Sequence, residues 1–192
     1  MMSRSTRSNS WDRIISRARR PFSATAIGAA SGPDTASELL RTVRLTNDYI
    51  ARTHGRSNMF ATLFFGMLDP ATGSLLYVNG GHEAPILFGR GGAKTRLPPT
   101  GPAVGMMPDM PFEVREAQLE AGEGLLAFTD GVTDARGAAG FFGEGRLLAL
   151  LADTVPSAAG LLDAIEAGVL AHAAGSEQTD DITLLAVRRF SS

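Results

Sequence analysis

The chain has 192 residues, 44% of them hydrophobic and 20% charged, with a formal net charge of −2. That is enough for one domain with a real core, and the near-balanced charge supplies no global basic field to draw nucleic acid. Cysteine is absent and the histidines (His54, His82, His172) stand far apart, which excludes disulfides, thiolate catalysis and a histidine-rich metal site; no apolar run approaches the ~20 residues that span a bilayer, so a soluble cytoplasmic protein is expected.

Residues 1–33 differ from the remainder. Arginines stand at 4, 7, 13, 17, 19 and 20 against one acid, Asp12. Trp11, Ile14, Ile15 and Ala18 could line one side of a short basic amphipathic helix that touches a membrane surface or an acidic partner; the alternative is a basic tail without structure. Ser23 to Pro33 is small and Gly/Ala-rich and reads as a loop or a weak strand. A domain is expected over 34–192. Thr35 and Glu38 fit a capping box, with Leu39, Leu40, Val43 and Ile50 as a helical apolar face and Gly55 as its C-terminal cap.

A hairpin follows. Met59 to Leu68 is an apolar strand, Asp69-Pro70-Ala71-Thr72-Gly73 is turn chemistry, and Ser74 to Asn79 is the return strand. Gly80-Gly81-His82 breaks it. Pro85 to Phe88 resumes a strand, and Lys94 to Leu97 is a short edge strand. Residues 98–111 hold prolines at 98, 99, 102, 108 and 111 and read as an ordered loop. Phe112 to Leu119 is a further strand. After a glycine-rich loop, helices are expected around Gly145–Asp153 and from Pro156-Ser157 to about Ala174, stopping at Gly175. Runs of strands and separate runs of helices predict an α+β fold with a mostly antiparallel sheet.

Two stretches carry the chemistry. Gly124-Leu125-Leu126-Ala127-Phe128-Thr129 runs as a buried strand into Asp130-Gly131, and Asp180-Asp181 opens the apolar strand Ile182 to Val187. Laid antiparallel, the two strands bring Asp130 and Asp180-Asp181 to one edge. Clustered carboxylates are tolerated where a cation neutralises them, and hard oxygen ligands suit Mg²⁺ or Mn²⁺. The plainer reading makes Asp130-Gly131 a turn and Asp180-Asp181 a strand start.

Five segments recur in a known order: Met59-Phe60-Ala61-Thr62-Leu63-Phe64, Leu68-Asp69-Pro70-Ala71-Thr72-Gly73, Tyr77-Val78-Asn79-Gly80-Gly81-His82-Glu83-Ala84-Pro85, Thr129-Asp130-Gly131-Val132-Thr133-Asp134 and Thr179-Asp180-Asp181-Ile182-Thr183-Leu184-Leu185. Together, over about residues 34–189, they resemble the SpoIIE-type branch of the PPM (protein phosphatase 2C) superfamily, bacterial metal-dependent serine/threonine phosphatases. The resemblance implies an α-β-β-α sandwich of two antiparallel sheets and two Mn²⁺ or Mg²⁺ ions in a cleft at one end. It implies a water bridging the metals that attacks phosphorus, with no protein nucleophile. Carried over, Asp130 and Asp180 bind metal, Asp181 is a second ligand or orienter, and Asp134 lies near an accessory metal. His82 belongs to the family's Asn-Ala-Gly-His turn and reads as structural rather than catalytic. The implied partner is a phosphorylated protein, in this family commonly an anti-anti-sigma protein of a partner-switching pathway.

The front of the chain departs from that pattern. Relatives carry a metal-binding aspartate in a Gly-Asp-x-x-Gly-x-Gly turn between two early strands; the nearest echo here is Ile27-Gly28-Ala29-Ala30-Ser31-Gly32, with Ala29 in the aspartate's place. The fold is therefore expected to be incomplete at its N-terminus. Three readings follow: a truncated fragment, a degenerate non-catalytic module that binds a phosphoprotein, or a working enzyme that finds its third carboxylate elsewhere, for instance in a dimer. Uncovered sheet edges would favour a homo-oligomer. A membrane-surface regulator acting through residues 1–20 is a further reading.

Overall fold

The computed structural model describes residues 15–17, 23–54, 59–152, 157–173 and 181–190. In chain order the elements are β1 (Ile15–Arg17), β2 (Ser23–Ala29), α1 (Thr35–His54), β3 (Thr62–Leu68), β4 (Ser74–Gly80), β5 (Ile86–Gly89), β6 (Gly92–Arg96), β7 (Arg115–Gln118) and β8 (Gly124–Phe128). Then come the one-turn helix α2 (Asp130–Thr133), a small hairpin of β9 (Arg136–Gly137) and β10 (Gly140–Phe141), α3 (Gly143–Ala152), α4 (Ala158–His172) and β11 (Leu184–Arg188). One sheet runs β1-β11-β8-β5-β6 and the other β2-β3-β4-β7.

Side-chain alternation stacks these sheets into four layers. Along β8, Leu125 and Ala127 point to one face and Leu126 and Phe128 to the other, as the twofold period of a strand dictates. Leu125 and Ala127 join Leu185 and Val187 of β11 and Phe64, Leu68, Leu75 and Tyr77 of the second sheet in the core between the sheets. Leu126 and Phe128 join Leu184 and Ala186 and pack against Leu147 and Leu151 of α3 and Leu161, Leu162, Ile165 and Val169 of α4. Because both faces of β8 are covered, the strand reads as an unbroken apolar run rather than an alternation. On the far side, Leu39 and Val43 of α1 pack on Val78, with Leu63, Phe65 and Met67 of β3 partly buried beside them. The order is α1, four-stranded sheet, five-stranded sheet, α3 with α4: the expected α-β-β-α sandwich.

The front of the domain departs from expectation in three places. Ser23–Ala29, expected as a loop or a weak strand, is a strand paired residue for residue with Thr62–Leu68. That pair is parallel, the exception to the antiparallel sheets expected, because the 20-residue α1 supplies the crossover that parallel neighbours need. Ile15–Arg17 pairs antiparallel with β11 and is not helical; Trp11, Ile14 and Ala18 lie outside the described residues. The first turn of α1 closes on Asp34, whose carbonyl accepts from Glu38 N at 3.0 Å, so Thr35 is the first helical residue and not the cap. Gly55 and Gly175 also fall outside the described residues.

The Asp69–Gly73 turn matches its sequence. Asp69 Oδ1 accepts from Ala71 N at 2.9 Å, Gly73 N donates to Asp69 O at 2.8 Å, and Gly73 holds φ +82°, a left-handed conformation that costs glycine nothing.

Candidate metal centre

β8 and β11 run antiparallel with Phe128 opposite Leu184 and Gly124 opposite Arg188. The ladder continues one step past the strands: Thr129 N donates to Thr183 O at 3.1 Å. The Thr129 hydroxyl then takes over. It donates to Asp181 O at 2.8 Å and accepts from Thr183 N at 2.9 Å. Both threonines are buried. This is the edge at which the sequence brings Asp130 and Asp181 together: one follows Thr129 directly, and the other is bonded to it.

Beyond Thr129 the chain turns. Asp130 opens α2, and its carbonyl accepts from Asp134 N at 2.8 Å and from the Thr133 hydroxyl at 3.1 Å. Its carboxylate accepts from Gly131 N at 3.0 Å. Asp130 is exposed at the rim, Asp181 is half-buried, and Asp134 is exposed one helical turn further on. Asp180 lies outside the described residues. Among the described residues no three acidic or histidine side chains form a group able to hold an ion.

His82 stands under the rim. Its backbone N–H donates to Asn79 Oδ1 at 2.8 Å, Nδ1 lies 2.9 Å from Glu83 O, and Nε2 lies 3.0 Å from the Thr25 hydroxyl. A carbonyl only accepts, so Nδ1 carries the proton and Nε2 accepts from Thr25. Burial holds the imidazole below its ordinary value, against the opposing pull of Glu83 and of the Asp130 carboxylate. The ring is therefore a neutral strut between β2 and the turn after β4, which agrees with its reading as structural. Ile86, a few residues after that turn, pairs with Leu126 of β8, which places the β4 turn and the β8 edge at the same end of the sandwich.

That geometry relocates Ala29. Thr25 pairs with Phe64 and reaches His82. Ala29 pairs with Leu68 beside the Asp69 turn, four residues on, which is about 13 Å along a strand. The Gly28-Ala29 echo thus stands at the end of β2 away from Asp130.

Sequence reasoning missed Thr129 and Thr25. The first stood inside a quoted motif, and a hydroxyl directly before a strand-ending acid is a signal worth reading. The second had none, since its partner is 57 positions away.

Carboxylates are the donor type that suits a hard dication, and the backbone at Asp181 lies within one hydrogen bond of the residue before Asp130. Mg²⁺ in particular is held by one or two carboxylates, keeps several waters and takes the rest of its shell from substrate phosphate.

Comparison with known proteins agrees with this architecture. The family model described as Stage II sporulation protein E (SpoIIE) matches residues 23–190. Protein IcfG of Synechocystis sp. is 48% identical over 153 residues, covering 79% of this chain. The chain spans about a quarter of that relative, 24% of its length. Among solved structures, the SiaA-PP2C domain of Pseudomonas aeruginosa superimposes with a TM-score of 0.68 at 19% identity, over 82% of this chain and 65% of that one. The catalytic domain of the serine threonine protein phosphatase PstP, in complex with two manganese ions, gives a TM-score of 0.65 at 18% identity, over 84% and 74% respectively.

Proposed function

Because this chain belongs to the SpoIIE family of the PPM (protein phosphatase 2C) superfamily, we propose that it is a metal-dependent protein phosphatase that hydrolyses phosphoserine or phosphothreonine. The observation that supports the reading is the β8–β11 edge, where the hydroxyl of Thr129, the residue before Asp130, is bonded to Asp181 O and Thr183 N. Asp130 and Asp180 would hold Mn²⁺ or Mg²⁺, with Asp181 as a second ligand or orienter, and Asp134 would serve an accessory ion. When bound, such ions supply a water nucleophile at neutral pH and neutralise the charge on the phosphoryl oxygens.

The chain's own residues provide position and charge. The carboxylates set where the cations sit and leave the phosphoryl group to approach from solvent, since Asp130 is exposed. No side-chain nucleophile is needed, and none is assigned. His82 stays neutral and holds the turn beneath the rim. The substrate we favour is a phosphorylated anti-anti-sigma protein of a partner-switching pathway; that choice rests on family resemblance.

The test is hydrolysis of p-nitrophenyl phosphate by the purified chain across a Mn²⁺ titration, beside Asp130→Asn. Activity that needs metal and falls to background in the variant is the expected result. No metal-dependent hydrolysis by the folded wild-type chain sinks the enzyme reading and leaves a phosphoprotein-binding module.

A further inference from the structure

We propose that Thr129 is the positioning residue of this centre: its hydroxyl ties the backbone at Asp181 and Thr183 to the strand end that carries Asp130 and thereby sets the affinity for divalent metal. The proposal rests on the phosphatase reading above.

The argument starts from where the β ladder stops. Regular pairing of β8 with β11 ends at Phe128 and Leu184, and one further backbone bond joins Thr129 N to Thr183 O. Beyond it the two chains part. Asp130 enters a helical turn, while residues 181–183 carry no strand. The next ladder step cannot form, and the acids would be free to splay. The Thr129 hydroxyl replaces that step by accepting from Thr183 N and donating to Asp181 O. Of the side chains this short, only a hydroxyl both donates and accepts from one atom. Thr129 is 6% exposed, so water is poorly placed to substitute. One acid is the next residue after the bridging threonine, and the other is the residue whose carbonyl the bridge holds.

Divalent ions of this class demand tight geometry, and partners that orient the ligands change affinity about 10- to 100-fold when removed. A purely architectural threonine would alter stability and leave the metal affinity of the folded protein unchanged. By linkage, a metal that needs this bridge must also tighten it.

The experiment measures Mn²⁺ binding by electron paramagnetic resonance on the wild-type chain, Thr129→Val, Thr129→Ser and Asp130→Asn, with circular dichroism to establish folding. Thr129→Val keeps the shape and removes the bridge; it is expected to bind Mn²⁺ at least tenfold more weakly while folded, with Thr129→Ser within about threefold of wild type. A folded Thr129→Val with wild-type affinity overturns the proposal, as does a folded Thr129→Ser that has lost it. If the valine chain does not fold, amide hydrogen exchange of the wild type decides: Mn²⁺ must slow exchange at Thr183, and unchanged protection overturns the proposal. Wild type binding no better than Asp130→Asn shows that the metal reading itself has failed, a result distinct from a failure at Thr129.

Discussion

Asn79 and His82 show how much a turn can depend on two side chains. Asn79 is fully buried. Its Nδ2 donates to Leu97 O at 3.1 Å, its Oδ1 accepts from His82 N, and its backbone N donates to the Thr100 hydroxyl at 3.1 Å. Asn79→Ala orphans the His82 amide and the Leu97 carbonyl, and each buried unsatisfied group costs about 1–3 kcal/mol. Urea denaturation should therefore show a loss of at least about 2 kcal/mol. His82 adds a pH dependence whose sign follows from its environment. Burial lowers its pKa in the folded chain from 6.5. Below pH 6.5 the unfolded chain binds the proton first, so the stability this residue contributes is present above that pH and declines as the pH falls toward the folded value. The slope cannot exceed about 1.4 kcal/mol per pH unit. Denaturation midpoints at pH 7.5 and 5.5 should separate further for the metal-free wild type than for His82→Gln. Equal separation would mean that the imidazole is not held neutral.

Among the elements, β8 was legible because it is buried on both faces, so composition alone marks Leu125 to Phe128 as core. Cutting it is correspondingly costly: Phe128→Ala should lose about 3–5 kcal/mol by thermal or urea denaturation. Helix α4 was legible from its start, where Ser157 Oγ accepts from Gly160 N at 3.0 Å. Removing that cap in Ser157→Ala should cost about 1 kcal/mol. By contrast β2 was half hidden. Ala24, Ala26, Gly28 and Ala29 carry little β propensity, and the segment becomes a strand because β3 pairs with all seven of its residues. No local signal announces a parallel partner that lies across a helix. The β9–β10 hairpin was hidden for a different reason: its strands are two residues each, too short for any period to register. The candidate site divides the same way. Its carboxylates were readable because they punctuate apolar strands, whereas the Thr25–His82 contact exists only through the fold.

At the scale of the molecule the sandwich has two differently built ends. At one, Arg189 fastens the β3–β4 turn to the end of β7: Nη1 donates to Thr72 O at 2.7 Å and to Leu119 O at 2.8 Å, and Nη2 to Ala71 O at 3.1 Å. Arg189 also pairs with the start of β8, through Arg189 N to Glu123 O at 2.8 Å. Asp130 lies at the far end of that strand, roughly 20–25 Å away at strand rise. Sites so separated contribute nearly independently to stability. A cation bound at the proposed centre would add its own contribution by mass action: at a hundredfold excess over its dissociation constant, about 2.7 kcal/mol, or roughly 5–10 °C in a chain of this size. The two ends should then separate in one melting experiment. Wild type should rise by that amount with Mn²⁺. Arg189→Ala should melt lower yet keep the same rise, since the substitution loosens the opposite end. Asp130→Asn should lose the rise, because the proposed ligand is gone while the bonds of Arg189 to the β3–β4 turn and the end of β7 remain. A Mn²⁺ shift abolished by Arg189→Ala would tie the two ends together and place the metal's effect in the whole sandwich rather than at its rim.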